Sequence, residues 1–152
     1  MIILYKKILL ATDGSNHANN AAEKAVEFQK VWGSKVLIIH SIKDNRIPSE
    51  LYPDTEALYS KYSTLEEVYC EAGKRLLKKT KNMFGENQKS VETRLIEDEP
   101  PEDYIRRIVE EENFDLVIIG SRGQHSKIKK VLLGTVSSKI SKNVSCDVLI
   151  VK

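Results

Sequence analysis

The sequence predicts an α/β fold: one domain over residues 1–152, a doubly wound five-stranded parallel sheet with helices on both faces. Three observations carry this expectation. Short apolar runs recur at Lys7 to Ala11, Val36 to Ile39, Leu116 to Ile119 and Val148 to Val151, the pattern of strands covered on both sides. Stretches of helical spacing separate them, giving a βαβαβαβαβ order whose right-handed crossovers require parallel strands. No repeat, linker or low-complexity stretch divides the 152 residues, a length that buries one ordinary core.

Each element has its own signals. The first strand ends in Thr12-Asp13-Gly14, a turn. Ser15 or Asn16 then caps a helix whose Ala18, Ala21, Ala22, Ala25, Phe28 and Trp32 repeat at helical spacing until Gly33 stops it. After the second strand, the prolines and charges from Asp44 to Asp54 read as loop. Leu58, Tyr62, Leu65, Tyr69, Ala72 and Leu76 mark one long amphipathic helix, closed by Gly85. Val91, Thr93 and Leu95 alternate with charged neighbours, which places the third strand near a sheet edge. Pro100-Pro101 opens a helix that turns Ile105, Ile108 and Val109 inward, and the fourth strand follows. Helical spacing returns at Val136 and Ile140 before the fifth strand.

Composition excludes several function classes. A net charge of +2 gives no case for general nucleic-acid binding. No apolar run reaches membrane-spanning length, and Met-Ile-Ile-Leu-Tyr is too short for a signal peptide, so a cytoplasmic location is expected. Cys70 and Cys146 are expected to be buried, reduced thiols. Charge is nevertheless uneven. Glu86 to Asp115 is mainly acidic, whereas Gly120 to Cys146 holds no acidic residue but contains Arg122, Lys127, Lys129, Lys130, Lys139 and Lys142. That basic stretch coincides with the glycines Gly120, Gly123 and Gly134, which favours a small anionic ligand over a merely solvated face.

In a doubly wound sheet, ligands lie beyond the strand C-termini where the winding reverses. The predicted strand order, 3-2-1-4-5, puts strands one and four side by side. Ala11-Thr12-Asp13-Gly14 then meets Ile119-Gly120-Ser121-Arg122-Gly123. The glycines form neither a dinucleotide fingerprint nor a P-loop, and turns account for most such glycine pairs.

Asp-Leu-Val-Ile-Ile-Gly-Ser-Arg-Gly, a basic stretch and Leu-Leu-Gly-Thr-Val-Ser together resemble the universal stress protein family. Lys-Ile-Leu-Leu-Ala-Thr-Asp-Gly-Ser near the start and Cys-Asp-Val-Leu-Ile-Val-Lys at the end are similar to it too, so the resemblance covers essentially the whole chain. It implies a small α/β sandwich, usually dimeric, with an ATP-binding branch and a branch without nucleotide. The ATP-binding branch carries G-x-x-G, nine residues, then G with Ser or Thr. Gly120, Gly123, Gly134 and Thr135 fit in kind, but ten residues, Gln124 to Leu133, separate the second and third glycines. The extra residue is expected to bulge near Gln124 to Ser126.

Site roles follow as expectations. Gly120 and Gly123 let backbone approach ribose and phosphates, and Gly134, Thr135, Val136 and Ser137 offer N–H and hydroxyl donors at a helix start; Thr135 and Ser137 also suit plain capping. Asp13 suits the ribose or a Mg²⁺ bridging the phosphates, and equally an Asx turn. The resemblance further implies that Ala11 and Thr12 line the same edge, that Ser41 lies beside the adenine and that Ile119 packs near the base. Arg122 and Lys127 suit phosphate or solvent; His40 suits a structural role; His17 and His125 have no evident metal partner. The leading function is an ATP-binding regulatory module of the stress response, a homodimer through the C-terminal strand. A slow ATP hydrolase and a nucleotide-free interaction protein are the alternatives. The sequence names no general base positioned for water.

Overall fold

The computed structural model describes residues 2, 4–43, 55–122 and 135–152. The elements run β1 (Lys7–Ala11), α1 (Asn16–Trp32), β2 (Lys35–Ser41), α2 (Thr55–Lys61), α3 (Leu65–Asn82), β3 (Val91–Ile96), α4 (Pro101–Glu111), β4 (Leu116–Gly120), α5 (Thr135–Asn143) and β5 (Asp147–Val151). The five strands form one parallel sheet in the order β3-β2-β1-β4-β5. Fold class and strand order are therefore those the sequence predicts.

Register explains the two-layered core. Ile8 pairs with Val36 on one side and Leu116 on the other, and Leu10 with Ile38 and Ile118. These six side chains share one face, buried with Ala21, Ala22 and Ala25 of α1 and Leu77 of α3. The alternate residues Leu9, Leu37, Ile39, Val117 and Ile119 face the other way, onto Ile105, Ile108 and Val109 of α4 and Ile140 of α5. Each fully buried Leu or Ile contributes about 1.5–3 kcal/mol, so the central strands hold most of the apolar stabilisation.

Local signals set the helix ends. Ser15 Oγ accepts from the Ala18 N–H at the start of α1, and Gly33, at φ 66°, closes the helix in the left-handed conformation that glycine adopts without a Cβ penalty. Pro101 occupies the first turn of α4, where no helical N–H bond is lost.

The structure corrects three expectations. The single long helix from Leu58 is two, α2 and α3, separated at Tyr62 to Thr64. Thr64 Oγ1 accepts from the Glu67 N–H while the Ser63 N–H donates to Glu67 Oε2, a reciprocal cap that starts a new helix inside a continuous apolar stripe. Gly85 does not close α3, which ends at Asn82; it opens a 3₁₀ turn over Gly85–Ser90. Cys70 and Cys146 are free thiols, yet only half-buried. Partial burial pushes each thiol up to about 11, and the Glu97 carboxylate that accepts from Cys70 Sγ adds to that rise.

Edge strands differ in how they are held. On β3, Arg94 forms a fork with Glu112 after α4, Nη1 to Oε2 at 2.6 Å and Nη2 to Oε1 at 2.9 Å, which holds the Glu112 carboxyl below its usual range. On β5, Val148 to Val151 are each half-buried. Among the described residues no helix is long and apolar enough to cross a membrane.

Candidate functional site

The reversal of winding falls between β1 and β4, whose C-terminal ends lie side by side. Two turns leave the sheet there. The first, after β1, is built from its own residues. Thr12 Oγ1 accepts from the Gly14 N–H at 3.2 Å, and Asp13 Oδ1 accepts from the Ser15 N–H at 2.9 Å, the Asx turn. Ser15 Oγ then caps α1. Two groups reach in from β2: Ile39 O accepts from the Thr12 N–H at 3.0 Å, and His40 Nδ1–H donates to the Thr12 carbonyl at 2.8 Å. His40 is buried, and desolvation pushes its imidazole below the ordinary histidine value, against the opposing pull of that carbonyl and of Asp13.

The second turn, after β4, is tied to distant parts of the chain. A Cβ on Gly120 would stand 2.7 Å from the His17 carbonyl carbon and 2.8 Å from the Ala18 nitrogen, so only glycine lets β4 meet the first turn of α1. Ser121 follows, with 6% of its surface exposed. Its N–H donates to Val151 O of β5 at 2.7 Å, its carbonyl accepts from Ser137 Oγ of α5 at 3.0 Å, and its Oγ lies 2.7 Å from His17 Nδ1 of α1. Ser137 is thus the pin that docks the start of α5 on the end of β4.

The sequence-predicted residues divide accordingly. Ala11, Thr12, Asp13, Ile119 and Gly120 come together at the β1–β4 edge, and the opening turn of α5, with Val136 and Ser137, joins them through Ser121. Ala11 and Ile119 are 7% exposed and pack into the α4–α5 core layer, so little of either side chain is presented outward. Ser41 stands one strand further out, its Oγ donating to Glu99 O at 2.8 Å and accepting from the Lys43 N–H. Thr135 begins α5; its side chain, together with Gly123, Gly134, Lys127, His125 and the expected bulge, lies outside the described residues. Arg122 is half-buried, and its carbonyl sits 3.5 Å from Ser15 Oγ. Among the described residues no group of three or more His, Cys, Asp or Glu is arranged for a metal ion.

Sequence reasoning left His17 and Ser121 without a role. Their contact spans 104 positions, and no periodicity or spacing rule reaches that far.

A helix start carries N–H groups without intrahelical partners and the positive end of the peptide dipoles. Here that start is fixed beside a carboxylate-bearing turn at the crevice, where open α/β sheets bind ligands.

Comparison with known proteins agrees. The family model for "Universal stress protein family" matches residues 4–152. A universal stress protein of Methanocaldococcus jannaschii is 30% identical over 152 residues, 98% of this chain and 83% of that one. Among solved structures, the universal stress protein UspA from Lactobacillus plantarum superposes with a TM-score of 0.75 at 19% identity, covering 97% of this chain and 98% of that chain. A family protein from Arabidopsis thaliana solved with AMP bound gives 0.66 at 21% identity, covering 97% and 91%. One from Archaeoglobus fulgidus in complex with dAMP gives 0.65 at 18% identity, covering 99% and 100%. Strand order, crevice and sequence match converge: this chain belongs to the universal stress protein family.

Proposed function

We propose that the protein is an adenine-nucleotide-binding regulatory module of the cytoplasmic stress response, binding ATP with Mg²⁺ and acting as a homodimer through β5. The observation that carries this is the docking of α5's first turn onto the end of β4, beside Asp13 at the winding reversal. The AMP and dAMP complexes of the A. thaliana and A. fulgidus proteins support adenine nucleotide as the ligand class.

In this reading the N–H groups of Thr135, Val136 and Ser137 bind phosphate oxygens, and Gly123 and Gly134 let bare backbone approach them. Gly120 serves the same loop indirectly, by letting it spring from beside α1. Asp13 contacts the ribose, Ala11 and Thr12 line the same edge, Ile119 packs near the base and Ser41 lies beside the adenine. A Mg²⁺ held by one carboxylate and phosphate oxygens fits the donor set, since Asp13 is a single carboxylate and Mg²⁺ asks for only one or two. A bound ligand stabilises only the folded state, so occupancy fixes the loop in one conformation for a partner to read.

Calorimetry and thermal shift with ATP, ADP and AMP, each with and without Mg²⁺, test the reading. At a hundredfold excess of ligand over Kd, stabilisation of about 2.7 kcal/mol is expected. Asp13→Ala should abolish the Mg²⁺ dependence of ATP binding and weaken AMP through the lost ribose contact. No heat and no shift with any adenine nucleotide would refute it. Sedimentation at micromolar concentration tests the dimer, a monomer being the contrary result.

A further inference from the structure

We propose that His17 is a positioning residue for the start of α5, acting through Ser121. This rests on the nucleotide-site reading above. Ser121 is a junction at the root of the β4–α5 connection: N–H to β5, carbonyl to α5, hydroxyl to α1. Two of these partners belong to elements the fold holds in place anyway, β5 by its ladder with β4 and α5 by Ile140 in the core. The hydroxyl arm is different. It depends on one side chain, His17, whose ring nitrogen lies 2.7 Å away on the first turn of α1.

Three features make this contact fit for positioning. Gly120 lets the His17 backbone approach within a distance no other residue allows, so the imidazole arrives at Ser121 without reaching. Ser121 is buried, which makes its hydroxyl bond strong and its loss costly. The contact also survives a change of tautomer or protonation, because a hydroxyl donates to a bare nitrogen and accepts from a protonated one. The Ser121 carbonyl is the acceptor that pins Ser137, so rotation of residue 121 would shift the start of α5, where phosphate is expected. His17 therefore sets the donors without touching the ligand.

The test is a double-mutant cycle on AMP affinity with His17→Ala, Ser121→Ala and the double variant, alongside His17→Asn, whose side-chain amide replaces Nδ1. Each single alanine variant should weaken AMP about fivefold, the weight of one hydrogen bond, and the double variant should be no weaker than either alone. His17→Asn should recover to within about twofold of wild type. Wild-type affinity in His17→Ala, or losses that multiply in the double variant, would overturn the inference. Amide hydrogen exchange without ligand gives a separate readout. The Ser121 N–H bonded to Val151 O should exchange about fivefold faster in His17→Ala and recover in His17→Asn. If wild type binds no AMP, the nucleotide reading falls while exchange still judges the junction; unchanged exchange in His17→Ala would overturn it there too.

Discussion

The turns after β1 and after β4 occupy the same edge of the sheet and are built in opposite ways. From Thr12 to Ser15, side chains bond backbone groups two or three residues away. Gly120 and Ser121 have their partners on α1, α5 and β5, between 16 and 104 positions distant. The β1 turn is made mainly by local bonds, with Thr12 tied in addition to Ile39 and His40 of β2. The β4 turn exists only once three other elements are in place.

Substitutions that separate local from remote support test this contrast. The largest effect is expected at Gly120. Gly120→Val drives carbon into backbone atoms of α1 that have no rotamer to yield, and should cost about 3 kcal/mol, read by urea denaturation. A loss below about 0.5 kcal/mol, an ordinary surface value, would mean that α1 and β4 are not held so closely.

The β1 turn should lose less, by other means. Ser15→Ala removes the cap of α1 and should cost about 1 kcal/mol. Gly14, at φ 79°, sits where an L side chain is strained, so Gly14→Ala should cost about 1 kcal/mol. Combined with Gly120→Val, Gly14→Ala should add, whereas Ser15→Ala should couple, because Ser15 Oγ and a Cβ at Gly120 both meet the Ala18 nitrogen.

The smallest effect concerns His40, a remote support of the β1 turn. Its folded value lies below its unfolded one, so the unfolded chain binds the proton more readily. Stability is therefore full above the unfolded value near pH 6.5 and falls as acid is added below it. Melting temperature should drop between about pH 7 and pH 5, and His40→Asn should flatten that slope. An unchanged slope would assign the acid sensitivity elsewhere.

The contrast also marks what the sequence makes legible. The strands, the cap at Ser15, the stop at Gly33 and the turn at Asp13 are written in adjacent residues, and each was found where expected. The reversal of winding follows from strand order alone, which is how Asp13 and the end of β4 were expected to meet. The break between α2 and α3 was legible in Thr64-Leu65-Glu66-Glu67, a capping-box pattern, but the apolar stripe running through it reads as continuity. The Gly120–His17 approach and the Ser121 junction were not legible. Glycine in a turn has many causes, and the contact that demands it here lies across the chain.

The most direct test of the nucleotide site is an amide-resolved NMR titration of the ¹⁵N-labelled protein with AMP. Saturable shifts are predicted at Thr12 to Ser15, at Gly120 to Arg122 and at Thr135 to Ser137, with β3 and α3 unmoved. Shifts absent from those three segments, or centred on β3 and α3, would contradict the assignment of the β1–β4 crevice as an adenine-nucleotide site.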